Sequence, residues 1–527
     1  MTKASSKLRV NGLVRNGPVR ISQRDRRLIL AMIDAGLRDQ QIHAFFSQPG
    51  RDFNHNCISA LRGADRKLLP PPATQLELQT FFDDWVLRPR LRNPLAAWDL
   101  SGTDAALWRV AYRFHPVGQG MLHSGELRQG HRTPFTWVYD CGSVTAQTLV
   151  ETELDRLCAA RGPATSGKPI LDLVALSHFD KDHVSGVVHL LGLFQVNLIL
   201  LPFLPLWQRL WIAAAADELD SDFLRFLVDP TGYLLAAAGD GPTRIVFVPP
   251  SDGDPPPAPE GRVGGRPGGE FDDWPMKIRL KTEHFPDVVD GEIAGLTGGQ
   301  FPAAEFLKAE SLLDIDGVWE FVPYNDAHQA KRCPAGFSVS VEPLIVALLV
   351  ATTENDRQTA FDALKSHYDA TFGASGYRRN IISLFLYGGP VQPPSDGCFW
   401  SGQFIASEHY CRWQEDQTEL AASHFAMLFT GDGSLNSKPR RAAFEKFFLP
   451  YSRLGKASVF QVMHHGASGN SSPEVAPLVA PRASIFCSDP SQGERHPDAN
   501  VLRQFWPYNC IQVDDEIGWG VLGVFEF

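Results

Sequence analysis

Between positions 178 and 183 the chain reads His-Phe-Asp-Lys-Asp-His, directly after the largely apolar run Leu171–Leu176. Two imidazoles and two carboxylates in six positions are the donor types that hold divalent cations. The apolar run predicts a buried strand, so the polar cluster falls where that strand ends. His178, Asp180 and Asp182 share one parity, and an extended chain would send all three to one side. His183 joins them once the chain turns into the next helix. A plain loop with Asp182 as helix cap would use one carboxylate and leave the other three side chains without a role.

Further pieces follow in order along the chain. They are Val117-Gly118-Gln119-Gly120, Val138-Tyr139-Asp140-Cys141-Gly142-Ser143, Asn380-Ile381-Ile382-Ser383-Leu384 and Leu428-Phe429-Thr430-Gly431-Asp432-Gly433. After them come Val462-Met463-His464-His465-Gly466-Ala467-Ser468 and Gly493-Glu494-Arg495-His496-Pro497. With the first cluster, this series resembles the metallo-β-lactamase fold, whose signature is His-x-His-x-Asp-His. Asp180 stands where most of that family has a second histidine. In this the chain is similar to the soluble catalytic domain of ComEC-type competence proteins. The resemblance spans most of residues 105–527 and implies an α/β fold, an αββα sandwich.

The resemblance also implies a centre of two divalent metal ions. His178 and Asp180 would hold one and Asp182 and His183 the other, with Asp432 bridging and a histidine from His464–His465 completing the second site. Asp182, His465 and His496 are the candidate catalytic residues. One of the adjacent histidines is expected as a ligand and the other as a general acid or substrate contact, and sequence does not decide between them. Asp140 is expected to orient a ligand histidine rather than bind metal. Asn380 stands where many relatives supply a histidine, either as a weak ligand or supporting group or as an ordinary turn residue. Ser468 and Ser471 are candidate phosphate contacts, and Gly466 would let the backbone approach the substrate. The carboxylate of Asp180 makes the first site more oxygen-rich, which favours Mn²⁺ or Mg²⁺ over Zn²⁺. Two cations would activate water and neutralise charge on a phosphoryl oxygen.

Composition bounds the rest. At 527 residues, 44% hydrophobic and 21% charged, the chain can bury a large core and hold more than one unit. Met1–Asn16 is polar and basic, unlike a secretory signal. The most apolar stretch, Leu190–Ala216, is broken by Gln195, Asn197, Pro202, Pro205, Gln208 and Arg209, so no membrane span is expected. The channel that accompanies this domain in competence proteins is therefore not expected. Eight cysteines without a Cys-x-x-Cys pair argue against a structural zinc site or disulfide scaffold, and a cytoplasmic setting is expected. Residues 1–70 hold thirteen Lys or Arg and five Asp or Glu, a net of +8, leaving −19 for the remainder. A basic head on an acidic body directs any polyanion contact to the N-terminus.

Three elements must position these side chains. Ile21–Lys67 reads as three short helices, with Ser22 and Asp25 as a capping box and Asn54 capping the third. This resembles a helix-turn-helix module offering His55, Asn56, Ser59 and Arg62 to a major groove, although a structural bundle or docking module fits the same pattern. Residues 71–104 read as a connector. Residues 105–527 read as the catalytic fold, in which Trp108–Phe114 and Phe135–Tyr139 are expected to pair. A long insertion is expected at about 206–376, including the Pro- and Gly-dense Asp252–Glu270. The leading expectation is a metal-dependent phosphodiesterase acting on DNA. The alternatives are a hydrolase of small phosphodiesters or phosphorylcholine-type groups, and a DNA-binding regulator whose metal domain senses.

Overall fold

The computed structural model describes residues 21–86, 108–259, 276–391, 399–406, 412–414, 426–489 and 496–525, except 38, 40–41, 43–45, 47–54, 131, 162–166, 215–220, 252–253, 277, 285–304, 327–333, 335 and 373–382. The chain is mixed α/β, with two large mixed sheets of eleven and eight strands among the described residues.

Alternation builds the first sheet. Trp108–Phe114 sends Trp108, Val110, Tyr112 and Phe114 inward and pairs antiparallel with Gly120–Gln129. That strand in turn pairs antiparallel with Phe135–Ser143, so the two strands expected to be partners are separated by a third. Gly120, His123, Ser124 and Gly125 give this middle strand a composition poor in strand formers, which hides it in the sequence. From Phe135–Ser143 the sheet continues parallel through Ile170–Ala175, Gln195–Pro202 and Arg244–Val248. The final strand, Ile517–Phe525, returns to pair with Trp108–Phe114.

In the second sheet Trp319–Asn325, Leu384–Pro390 and Ala426–Phe429 run antiparallel to one another in turn. Ala426–Phe429, Ala457–Gln461, Ala483–Cys487 and Cys510–Val513 then run parallel. Aromatic rings join the two sheets: Trp137 stacks on Trp319 with centroids 6.3 Å apart, and Tyr139 on Phe429 at 4.6 Å. Each such buried ring contributes roughly 1.5–3 kcal/mol relative to exposure. Tyr139 donates its hydroxyl to the Leu384 carbonyl at 2.7 Å, so its polar end is satisfied too.

A second apolar cluster packs Gln147–Ala160, Val187–Leu193, Leu206–Ala214, Ser221–Val228, Phe337–Val350 and Glu354–Phe372 against the first sheet. A third packs Lys438–Phe448, Val475–Val479 and Ala499–Phe505 against the second. The stretch 206–376 contributes strands to both sheets. Arg244–Val248 and Glu305–Leu307 are strands of the first sheet, and Trp319–Asn325 is a wholly buried strand of the second. A strand buried on both faces loses the alternation by which sequence announces it. Of Asp252–Glu270 only 254–259 are described, and the Pro256 carbonyl there accepts from buried Arg453 at 2.9 Å.

At the N-terminus, Gln23–Asp34 starts with the expected Ser22–Asp25 capping box and shares a core with Ile42, Phe46, Ile58 and Leu61. Asn54 lies outside the described residues. Gln75–Val86 packs on the same core, with Phe46 stacked on Phe81 and a forked Arg27–Glu77 pair at 3.0 and 2.8 Å. The helical unit thus takes in part of what reads as a connector. No helix among the described residues is long and apolar enough to cross a membrane.

Candidate metal centre

The strand Ile170–Ala175 carries Ser177 and His178 to the end of Phe135–Ser143, where Asp140 adopts a left-handed backbone with φ 55°. Gly120 and Gly142 form the seat for the next residues. A Cβ on Gly142 would lie 2.5 Å from the His183 nitrogen, and one on Gly120 would lie 2.8 Å from the Asp182 carbonyl oxygen. Only residues without a Cβ allow that approach, which gives both glycine motifs a physical role. From the other side Phe179 packs on Phe226 with centroids 5.4 Å apart, and the Lys181 ammonium sits 5.5 Å over Phe223. Helix Ser221–Val228 therefore leans on the loop.

The second sheet supplies the remaining groups. Asp432 follows Ala426–Phe429, and His464 and His465 follow Ala457–Gln461 with φ of 46° and 56°. Left-handed backbone at non-glycine residues costs on the order of 1–3 kcal/mol each, and three such residues meet here. Buried Gln461 pins the turn before Asp432. Its Oε1 accepts from the Thr430 and Gly431 amides at 2.8 and 2.7 Å, and its Nε2 donates to the Gly431 and Val462 carbonyls at 3.2 and 3.0 Å. Gly466 also makes a close approach, but to protein: a Cβ there would lie 2.6 Å from Pro497 Cβ and 2.7 Å from Phe486 Cδ1.

Asp182, His183, Asp432 and His465 each bring one ligand atom to a group within 4.8 Å, and His178, Asp180 and Asp182 form a second such group. His183 Nε2 lies 3.2 Å from Asp432 Oδ1 and 3.7 Å from Asp182 Oδ2. His465 Nε2 lies 3.1 Å from Asp182 Oδ2 and 3.6 Å from Asp432 Oδ1. On the other side, His178 Nε2 is 3.6 Å from Asp180 Oδ2 and 3.7 Å from Asp432 Oδ2. His464 Nε2 is 3.5 Å from the same Asp432 oxygen. Asp432 thus turns one oxygen to each group. Of the adjacent histidines, His465 joins Asp182 and His183, while His464 faces the His178 side.

The far nitrogens of the rings are anchored. His183 Nδ1 donates to Asp140 Oδ2 at 2.7 Å, and His465 Nδ1 donates to the Cys487 carbonyl. His178 Nδ1 meets Ser177 Oγ at 2.8 Å. The near nitrogens of His178 and His183 are buried and make no hydrogen bond. Buried imidazole nitrogens facing carboxylates without hydrogen bonds fit a divalent cation between them.

Charge agrees with that fit. Burial pulls the pKa of His183 down, but Asp182, Asp140 and Asp432 outweigh it and hold the ring protonated well above the usual range. Burial raises the pKa of Asp182, yet His183 and His465 bring it to about 2. Burial, with His183 alongside, pushes His178 down to about 3. The carboxylates that draw a proton onto His183 would attract a cation in the same way.

His496 lies beside His464, ring centroids 5.8 Å apart, and burial together with His465 and His464 lowers its pKa to about 4. Ser468 is exposed in the turn, whereas Ser471 is buried and directs Oγ to Gln504 Oε1 at 3.5 Å. Asn380 and residues 493–495 lie outside the described residues. In the N-terminal unit Ser59 Oγ donates to Asp39 Oδ2 at 2.9 Å, and Arg62 donates to Asp39 Oδ1 at 2.6 Å and the Leu37 carbonyl at 3.0 Å. The side chains of His55 and Asn56 lie outside what is described. Ser177 and Gln461 were not singled out in the sequence. Ser177 had a signal in its place next to the motif, and Gln461 had none.

No protein-family model matches this sequence, and no curated protein matches it either.

Proposed function

We propose that the chain is a metal-dependent phosphodiesterase built on an αββα sandwich of the metallo-β-lactamase type, with DNA as the favoured substrate. The observation that carries this reading is the pair of histidine–carboxylate groups sharing Asp182, with Asp432 directing one oxygen to each side. Layering supports the fold reading: aromatic rings join the sheets, and each sheet has a separate apolar cluster with its helices. His178, Asp180 and Asp432 would hold one cation with His464 beside it, and Asp182, His183, Asp432 and His465 the other. Bound there, Mn²⁺ or Mg²⁺ would supply the Lewis acidity that activates water and neutralises charge on phosphorus-bound oxygens. The protein's own part is to fix the imidazoles through Asp140 and the Cys487 carbonyl and to exclude bulk water by burial. His496, whose ring centroid lies 5.8 Å from that of His464, is the candidate for proton exchange at the leaving oxygen.

A small phosphodiester is the second reading, and one observation favours it. Ser59 and Arg62, two of the four expected groove-reading side chains, are engaged with Asp39 inside their own module. Incubating the purified chain with linear single- and double-stranded DNA and with a chromogenic phosphodiester, under Mn²⁺, Mg²⁺ or Zn²⁺, separates the two. Cleavage of DNA supports the first reading. Turnover of the small ester alone supports the second, and no turnover of either contradicts both.

A further inference from the structure

Asp140 Oδ2 is the meeting point of two hydrogen-bond paths. His183 Nδ1 donates to it directly at 2.7 Å, and Ser177 Oγ donates to it at 2.7 Å. Ser177 is fully buried, and its backbone is held too: its amide donates to Asp140 Oδ1 at 2.6 Å, and its carbonyl accepts from the Leu384 amide at 2.6 Å. A serine hydroxyl has one proton to give. The carboxylate oxygen can only accept, so that proton goes to Asp140. The hydroxyl lone pairs are then left to accept from His178 Nδ1 at 2.8 Å. His178 therefore carries its hydrogen on Nδ1 and turns an unprotonated Nε2 toward Asp180 and Asp432. Ser177 Oγ is also 3.3 Å from His183 Nδ1, but the shorter bond of that nitrogen is to Asp140.

We propose that Ser177 is a positioning residue that extends the hold of Asp140 to His178, so that one buried carboxylate sets the tautomer of an imidazole in each of the two groups. The two histidines depend on it unequally: His183 needs Asp140 alone, while His178 needs the serine hydroxyl as well. This rests on the two-cation reading above, and it assigns Ser177 to the His178–Asp180 side.

The test is calorimetric titration of Mn²⁺ into the metal-free full-length protein, with bound metal counted by elemental analysis and the fold checked by thermal unfolding without metal. Ser177→Ala should weaken one cation by about 10–100-fold, the usual cost of losing a group that orients a metal-binding histidine, and leave the other unchanged. Ser177→Thr, which keeps the hydroxyl, should restore the weakened cation. In a double-mutant cycle Ser177→Ala should add nothing to His178→Ala but should add fully to His183→Ala. Equal weakening of both cations, unchanged binding in Ser177→Ala, or failure of Ser177→Thr to restore binding would overturn the proposal while leaving the metal reading in place. A wild-type chain that binds no Mn²⁺ would overturn both.

Discussion

The N-terminal helices and the candidate metal centre both crowd ionisable side chains, and they use them in opposite ways. In the helices, Arg27 pairs with Glu77, Arg62 with Asp39 and Arg66 with Asp34, all at partly exposed positions. These charges are answered within the unit, and exposed pairs of this kind are each worth only about 0–1 kcal/mol. In the centre, the anchored nitrogens face protein while the Nε2 atoms of His178 and His183 converge on carboxylates without a hydrogen bond. Residue composition alone does not separate the two cases. The direction in which the polar atoms are spent does, inward on the fold or toward the space between carboxylates.

The most forceful way to break this contrast is to remove the two shared carboxylates. Combined Asp182→Ala and Asp432→Ala should abolish metal retention by elemental analysis and lower phosphodiester hydrolysis by about a thousandfold, since bound cations supply several kcal/mol of charge stabilisation. Unchanged metal content would place the cations elsewhere.

The support beneath the loop comes next. Phe226 packs on Phe179, between His178 and Asp180, and is 2% exposed. Phe226→Ala should cost roughly 3–5 kcal/mol in denaturant unfolding. It should also weaken Mn²⁺ binding, because the loop loses its backing. A loss of stability with metal affinity intact would mean that the loop holds its geometry without helix Ser221–Val228.

The residues in these two tests differ in how far the sequence reveals them. His178 to His183 lie within one turn of chain, so their grouping needed only parity and proximity. Asp140, Asp432 and the His464–His465 pair are legible only through a resemblance in order, and the left-handed turn that sends the two rings to different oxygens of Asp432 has no signature in the chain. Gln461 and the Cys487 carbonyl were invisible, because a side chain satisfying a remote backbone has no local signature. The same holds for Phe226, one apolar residue among many until its partner is known. Trp319–Asn325 has no alternation to read, because it is buried on both faces.

A smaller effect follows from Asp180. Replacing it with histidine, Asp180→His, exchanges a hard oxygen donor for imidazole and should shift the activity ranking toward Zn²⁺ over Mn²⁺ by about tenfold. The same ranking in variant and wild type would remove Asp180 from the cation's immediate surroundings.

His123 sharpens the contrast from a third position. Both its ring nitrogens are buried without a hydrogen bond, yet it sits against Phe114 and Phe429 at 4.7 and 4.5 Å. Aromatic rings, unlike the carboxylates around His178 and His183, offer no cation site there. Burial holds its pKa well below the ordinary 6.5. As pH falls below that value the unfolded chain takes up a proton that the folded chain does not, so stability falls with pH. His123→Phe should raise stability by about 1 kcal/mol at neutral pH and flatten its decline toward pH 5, measured by urea unfolding at both pH values. An unchanged pH slope would assign the acid sensitivity to other groups.

The smallest expected change is in the helices. Asp39→Ala frees Ser59 and leaves Arg62 with the Leu37 carbonyl but no neutralising carboxylate, and affinity for long duplex DNA should rise about two- to fivefold with a steeper salt dependence. No change in either quantity would leave this face as a structural element.

On the function proposed above, the polar cluster is built around cations. The most direct test of this is the count of Mn²⁺ bound per metal-stripped wild-type chain, by calorimetry with elemental analysis of the dialysed complex. Two per chain are expected, lost together in the Asp182→Ala, Asp432→Ala variant. A wild-type chain that retains no divalent cation, with its fold intact, would contradict it.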